Sequence, residues 1–125
     1  MPCRKKAFSI TELMITVVII AILALIGGFT FSQFMRTQNQ KQAQTYLIAI
    51  RAAETVYYSN NWKYVSCADI GAINATLGIS VAPTSTYNSF SVTVPTNSTT
   101  TYTANATGTS TPLSIDQDGN TSGWI

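Results

Sequence analysis

A single carboxylate interrupts the N-terminal part of this chain. From Ala7 to Met35 the only residue with a formal charge is Glu12, which lies four residues after Phe8 at the start of a long apolar run. A charged side chain well inside a bilayer costs about 2.5–3.5 kcal/mol on insertion scales and is seldom kept without a function or a partner. The pattern therefore predicts that a cation neutralises Glu12.

Two sources of positive charge are available in the sequence. The cluster Arg4-Lys5-Lys6 precedes the apolar run, and a cut before Phe8 would create a new α-amino group. Glu12 lies about 6 Å from Phe8 along a helix, so the two interact only loosely within one copy. A neighbouring copy shifted along its axis could pair them closely. The alternative, that Glu12 sits near the lipid headgroups and reaches water, stays open at this point.

The apolar run is long enough to cross a membrane. Leu13 to Phe31 has only Thr16 and Thr30 as polar members, and its helical length of roughly 28 Å is close to the thickness of the hydrocarbon layer. The preceding basic cluster predicts a cytoplasmic N-terminus. A removable secretory signal is the competing interpretation, but Ala21 and Ala24 have the wrong spacing for its cleavage site.

These N-terminal residues resemble those of the type IV pilin family, including the pseudopilins of type II secretion. The shared features are a short basic leader, Met1 to Ala7, and the sequence Phe8-Ser9-Ile10-Thr11-Glu12-Leu13-Met14-Ile15 followed by the apolar run. The resemblance implies that a prepilin peptidase cuts between Ala7 and Phe8 and methylates the new Phe8 amine. It also implies that Glu12 guides the docking of each subunit onto Phe8 of a neighbour.

The chain departs from the family pattern at two places. Ala7 stands before the cut where the family usually has Gly, and the latter part of the apolar run lacks the Pro that breaks the helix in many members. Gly27 and Gly28 are the predicted substitute for that Pro, because each Gly weakens a helix by about 1 kcal/mol relative to Ala.

Composition excludes several classes of function. The chain has 125 residues, a net charge of +2 and no histidine, which rules out His-based acid/base chemistry and His metal sites. Charged residues make up 10% of the chain and form no basic face for nucleic acid. Neither a nucleophile elbow nor a phosphate-binding glycine loop is present. We therefore expect no enzyme activity, no cofactor and no nucleic-acid partner.

The pattern after Phe34 predicts that the membrane helix continues as an amphipathic helix. No Pro or Gly occurs from Ser32 to Cys67, so one helix is expected from Ile10 to about Ser59. Its outer half is expected to offer one apolar stripe to a folded domain. The residues of that stripe are Ala43, Leu47, Ile50, Ala53 and Tyr57.

The rest of the chain predicts a short helix and an antiparallel sheet. Ser66 to Asp69 has the form of a capping box for a helix that ends near Leu77. Strands are expected at Ser89–Val94, at Thr101–Ala106 and from Leu113, with Trp124 on a short fourth strand. The predicted fold class is α+β: a long N-terminal helix, with a membrane-spanning first half, packed on a sheet of three or four strands. The expected segments are a leader at 1–7, a membrane or filament-core segment at 8–34 and a globular head at 35–125.

Weaker motifs occur in the head. Asp116 and Asp118 have the spacing of a calcium loop, although Asp118-Gly119 favours a hairpin turn. Cys67 is expected to be a small buried apolar residue. An aromatic group is expected to fasten the end of the helix to the sheet or, alternatively, to form a patch between subunits; its members are Tyr46, Tyr57, Tyr58, Trp62 and Tyr64. Four N-glycosylation patterns begin at Asn74, Asn97, Asn105 and Asn120.

The sequence leaves three functional readings. The first is a pilin that leaves the inner membrane and polymerises into an extracellular filament, with like subunits, a prepilin peptidase and an inner-membrane assembly platform as implied partners. The second is a pseudopilin or minor pilin of a type II secretion or DNA-uptake system. The third is a single-pass membrane protein that never polymerises and binds a partner through its head. Adhesion, motility, secretion and conduction are not separated by these residues.

Overall fold

A computed structural model of the chain describes residues 7–124. The predicted leader, apart from Ala7, lies outside the described residues together with its basic cluster. The elements are two helices and four strands: α1 (Ile10–Asn61), α2 (Ile70–Leu77), β1 (Tyr87–Thr93), β2 (Thr103–Gly108), β3 (Leu113–Asp116) and β4 (Thr121–Ser122). This arrangement confirms the predicted α+β fold. The chain divides into two compact units, Met1–Met35 and Arg36–Ile125, and we call the second unit the head.

Helix α1 begins with a side-chain cap and runs without a break for 52 residues. The Ser9 hydroxyl accepts a hydrogen bond from the Glu12 backbone N–H at 3.2 Å, which satisfies one of the free donors at the start of the helix. The helix passes through Gly27 and Gly28 and ends two residues beyond the predicted Ser59. The absence of Pro and Gly from residues 29–70 explains why it continues so far.

The sheet is an antiparallel meander with strand order β1-β2-β3-β4. Alternate residues face the core, because successive side chains of a strand point to opposite faces. Phe90 pairs with Ala106, and Ala104 pairs with Ile115; all four are buried. The predicted membership of Trp124 in the fourth strand is wrong, since β4 ends at Ser122.

The head core joins this sheet face to one stripe of α1. Ala43, Leu47 and Ile50 are fully buried in the same cluster as the inward residues of β1, β2 and β3. The ring of Tyr46 meets that of Phe90 edge to face with centroids 5.6 Å apart. Aromatic pairs of this geometry add about 0.5–1.5 kcal/mol beyond the area they bury, so the contact fixes the helix on the sheet.

The predicted capping box for α2 is wrong by one turn. Asp69 is the N-cap, and its Oδ1 accepts the Ala72 N–H at 2.8 Å. Ser66 instead donates its hydroxyl proton to the Val92 carbonyl, and Cys67 exchanges two backbone hydrogen bonds with Val92. Pairing with β1 therefore holds residues 66 and 67 in extended backbone, and α2 begins only after them. Cys67 is buried, as predicted.

The buried stripe of α1 continues through Glu54 rather than through Ala53 and Tyr57. The Glu54 side chain is 0% exposed, and its Oε2 accepts the Val65 N–H at 3.1 Å. Its Oε1 has no hydrogen-bond partner within residues 7–124. Burial raises the pKa of Glu54 from about 4.5 to about 7, against the smaller lowering effect of the Val65 hydrogen bond.

Three weak acids interact electrostatically with Glu54. Burial raises the pKa values of the Tyr64 and Tyr102 phenols and of the Cys67 thiol, so all three stay neutral where Glu54 titrates. The folded head therefore binds a proton at Glu54 more tightly than the unfolded chain does. The resulting stabilisation is fully present below the unfolded pKa and is lost as pH rises toward the folded pKa.

We expect the thermal stability of the head to fall between about pH 5 and about pH 8, since deprotonation leaves a buried charge on Glu54. Glu54→Gln keeps an acceptor for the Val65 N–H but cannot ionise, so it should flatten this slope. Circular dichroism melting of the full chain in detergent measures the effect. Equal slopes in wild type and Glu54→Gln would contradict the assignment.

Candidate functional site

The largest uncovered feature of the molecule is the apolar N-terminal part of α1. Within the described residues, α1 is the one helix that is long and apolar enough to cross a membrane; its qualifying 18-residue window has a mean hydropathy of 2.7 and is 0% buried. Leu13 is 58% exposed and Phe29 is 82% exposed. A helix that is apolar on all sides needs lipid or other helices around it, so this surface is the candidate functional site.

The hydroxyl groups of the apolar run are satisfied within the helix itself. Thr16 donates its hydroxyl proton to the Glu12 carbonyl at 2.8 Å, and Thr30 donates to the Ile26 carbonyl at 2.9 Å. Such back-bonding to the residue four positions earlier removes the need for an external partner. Neither threonine therefore prevents the run from entering lipid or an apolar bundle.

The Glu12 carboxylate differs from these threonines. Ser9 and Glu12 have the spacing of a capping box, but the recorded bond is only the one from the Glu12 N–H to Ser9. No hydrogen bond or ion pair in the described part of the chain engages the carboxylate, and the residue is exposed. The recorded local contact of Glu12 is thus made by its backbone and not by its carboxylate.

Ala7 and Phe8 lie before the first helical residue, Ile10. Phe8 is 78% exposed. The peptide bond between them is therefore outside the regular hydrogen bonding of α1, where a peptidase meets less structure to unfold. Cleavage here and methylation of Phe8 stay predictions.

Gly27 and Gly28 lie inside the continuous helix, and a Cβ added at either would meet nothing within 4 Å. Neither glycine is thus required by close packing within this copy. The flexibility that the sequence predicts for this pair stays a prediction.

The Asp116 turn is built around one carboxylate. Asp116 Oδ1 accepts the N–H groups of Asp118 and Asn120 at 3.0 and 2.8 Å, and its Oδ2 accepts the Asn120 side-chain amide at 2.9 Å. The bond from the Asn120 side chain is the largest cause of a lowered Asp116 pKa. Arg51 of α1 lies against this turn and donates to the Gln117 carbonyl at 3.4 Å.

These bonds give Asp116 a structural role as the organiser of the β3–β4 hairpin. No cluster of three or more His, Cys, Asp or Glu residues that could hold a metal occurs within the described residues. Calcium binding by Asp116 and Asp118 stays a prediction.

The four glycosylation patterns differ in their surroundings. Asn74 is half-buried and makes two hydrogen bonds with the backbone of Val81, at 3.0 and 2.8 Å. Asn105 is half-buried within β2, and the Asn120 amide is bound to Asp116. Asn97 lies exposed in the loop between β1 and β2.

The aromatic residues near the end of α1 divide into two groups. Tyr46 and Tyr64 fasten the helix and the following segment to the sheet, with the Tyr64 ring centroid 4.6 Å from that of Tyr102. This part of the prediction is confirmed. Tyr57 lies toward α2, and Trp62 is 77% exposed.

Sequence reasoning missed Glu54, although a signal for it exists. The buried positions 43, 47, 50 and 54 follow steps of four, three and four, the spacing of one helix face. Choosing Ala53 and Tyr57 because they are apolar moved the predicted stripe away from this face. The spacing Ser9-x-x-Glu12 was likewise a recognisable signal for the N-cap of α1.

Comparison with known proteins shows a similarity to a pilin. The chain is 36% identical over 66 residues to the type IV major pilin protein PilA of Myxococcus xanthus (strain DK1622); the match covers 53% of this chain. The chain covers only 30% of the length of that relative. No family model matches the chain. No solved structure gives a significant match.

Three independent observations agree. The Phe8 to Ile15 signature, the long apolar helix joined to a four-stranded antiparallel sheet, and the similarity to a major pilin all point to one family. The resemblance found in the N-terminal residues is thereby confirmed.

Proposed function

We propose that this chain is the subunit of a type IV pilus or a related filament. The observation that carries the proposal is the Glu12 carboxylate, exposed and without a partner in the described chain, at the start of an exposed apolar helix surface. Copies of the chain can cover one another's apolar surfaces and supply the missing cation at the same time.

The geometry of pairing follows from the helix. Phe8 and Glu12 are separated by about 6 Å along the axis, so a neighbour displaced by roughly this distance brings its Phe8 amine beside Glu12. Two opposite charges that meet in an apolar bundle attract strongly, whereas either one alone is costly there. Glu12 and Phe8 therefore fix the axial register of neighbouring copies, while the burial of apolar surface between the helices stabilises their association.

The proposal includes a route. The unassembled subunit spans the inner membrane with its N-terminus in the cytoplasm, and a prepilin peptidase removes residues 1–7 and methylates Phe8. An inner-membrane assembly platform then passes the subunit into an extracellular filament. The basic residues before Phe8 and the uncharged run after Glu12 support this orientation.

Glu12→Gln should sharply reduce filaments, because the neutral amide cannot pair with the Phe8 amine. Electron microscopy and subunit immunoblots of material sheared from cells measure the loss, and the membrane fraction shows whether the variant is still made. Thr16→Ser is the matched control, since it keeps the hydroxyl bond to the Glu12 carbonyl one turn later. Normal filaments from Glu12→Gln would contradict the docking role.

N-terminal sequencing of the native protein should begin at a methylated Phe8. Ala7→Gly, which restores the residue usual before the cut, should be processed at least as completely. A native protein that keeps Met1 to Ala7 and stays in detergent-soluble monomers would instead favour the non-polymerising membrane protein.

If the native subunit is glycosylated at an N-x-Ser/Thr pattern, Asn97 should be the acceptor, since it is the exposed member outside the sheet and the Asp116 turn. Intact mass spectrometry of wild type and Asn97→Gln tests this. The extra mass should disappear in Asn97→Gln and persist in the control Asn120→Gln. Attachment at Asn74, Asn105 or Asn120 would overturn the assignment.

A further inference from the structure

The residue that follows α1 has an unusual backbone. Trp62 has a φ angle of 58°, in the left-handed region, while its N–H still donates to the Tyr58 carbonyl at 2.7 Å. This conformation costs an L residue roughly 1–2 kcal/mol, and helices commonly place Gly at this position. Helix α2 follows that rule with Gly78, at φ 67°. At the end of α1 the chain instead holds its bulkiest type of side chain.

Contacts within the copy do little to offset this strain. The Trp62 side chain is 77% exposed, and its aromatic contact in the described chain is an edge contact with Tyr58, with centroids 6.4 Å apart. Strained residues of this kind tend to occur at functional sites. Trp62 is thus a large apolar side chain that is exposed on the surface of the head.

The head also carries an apolar groove. Its volume is about 530 Å³, and it lies between the second half of α1 and the end of α2 with the loop that follows. None of its lining residues is charged; they include Ala49, Ala52, Ala53, Val56, Leu77 and Ile79. Val56 is 61% exposed. The outer part of α1 therefore has a second apolar stripe, which includes the predicted residues Ala53 and Tyr57, in addition to the stripe buried in the head core.

The size of these features restricts the partner. A stable interface between two freely diffusing proteins buries about 800 Å² on each side, which one indole and one shallow groove do not supply. A weak contact becomes effective when the two molecules are already held together, because the second binding event is then intramolecular. In the filament proposed above, the apolar surface of α1 provides such a connection between copies of this chain.

We propose that Trp62 of one copy docks into the α1–α2 groove of a neighbouring copy. The inference rests on the filament function proposed above. Trp is among the residues that most often dominate interface energetics, and the uncharged groove removes its apolar ring from water. Asn60 at the groove supplies a polar side chain for the indole N–H, which needs an acceptor when buried.

Trp62→Gly separates this role from a structural one. Gly accepts the left-handed backbone without strain, so the melting temperature of the subunit in detergent should stay equal or rise. Filaments recovered by shearing should nevertheless fall to less than about one tenth of wild type, the loss expected for an interface anchor. Undiminished filaments, or a filament loss accompanied by a lower melting temperature, would overturn the proposal.

The groove side of the contact has its own variant. Ala52→Glu places a carboxylate in the uncharged groove at an exposed position, and it should give the same filament loss with an unchanged subunit melting temperature. Thr55→Glu is the matched control: it adds the same charge three residues later on α1, outside the groove, and should assemble normally. Equal behaviour of the two variants would overturn the proposal.

A photoreactive benzophenone amino acid at position 62 tests the contact directly in filaments. Irradiation should produce covalent dimers whose cross-link maps to residues 49–60 or 76–79 of the second copy. Filaments that give no dimers, or dimers joined elsewhere, would overturn the docking site and leave the filament function intact. If wild type makes no filaments at all, the proposed function fails and this inference fails with it.

Discussion

An exposed apolar helix surface is the constraint on which this protein depends. The N-terminal part of α1 exposes residues such as Leu13 and Phe29, and the 18-residue window long and apolar enough to cross a membrane is 0% buried within the described residues. Only lipid or other helices can remove this surface from water. The same stretch carries Glu12, so any environment that accepts the helix must also accept or neutralise a carboxylate.

The head is held together by an apolar core and a small number of charged residues. One stripe of α1 and the inner face of a four-stranded meander form its core, and Asp116 and Arg51 organise the hairpin at β3 and β4. Its buried charge-bearing residue, Glu54, anchors the segment after α1 through the Val65 N–H. Among the described residues of the head, Glu54 is the buried acidic or basic side chain, and we expect it to link stability to pH.

The sequence predicted the elements better than their terminal contacts. Alternating apolar residues in the strands and the absence of Pro and Gly from residues 29–70 made it possible to predict the sheet and the long helix from sequence patterns. The predicted N-cap of α2 was wrong because Ser66 and Cys67 form hydrogen bonds with Val92. That residue is far away in the sequence, so a local pattern does not indicate the contact. Glu54 was missed because a charged residue on a buried stripe looks like a solvent-facing one. The backbone of Trp62 had no sequence signal, since Gly is the usual residue there.

The self-bonded hydroxyls of Thr16 and Thr30 bear on reversibility. If the polar side chains of the apolar helix changed their hydrogen-bond partners when the helix moved from lipid into a protein bundle, each change would add a free-energy barrier to the transfer. Here both hydroxyl groups bond to backbone carbonyls of the same helix, so these hydrogen bonds stay intact and the helix surface is equally apolar in lipid and in a helix bundle. If Glu12 acts as proposed, one ionic contact per copy separates the membrane-stored form from the polymer, and a subunit that leaves the polymer breaks little else that is polar along this part of the helix.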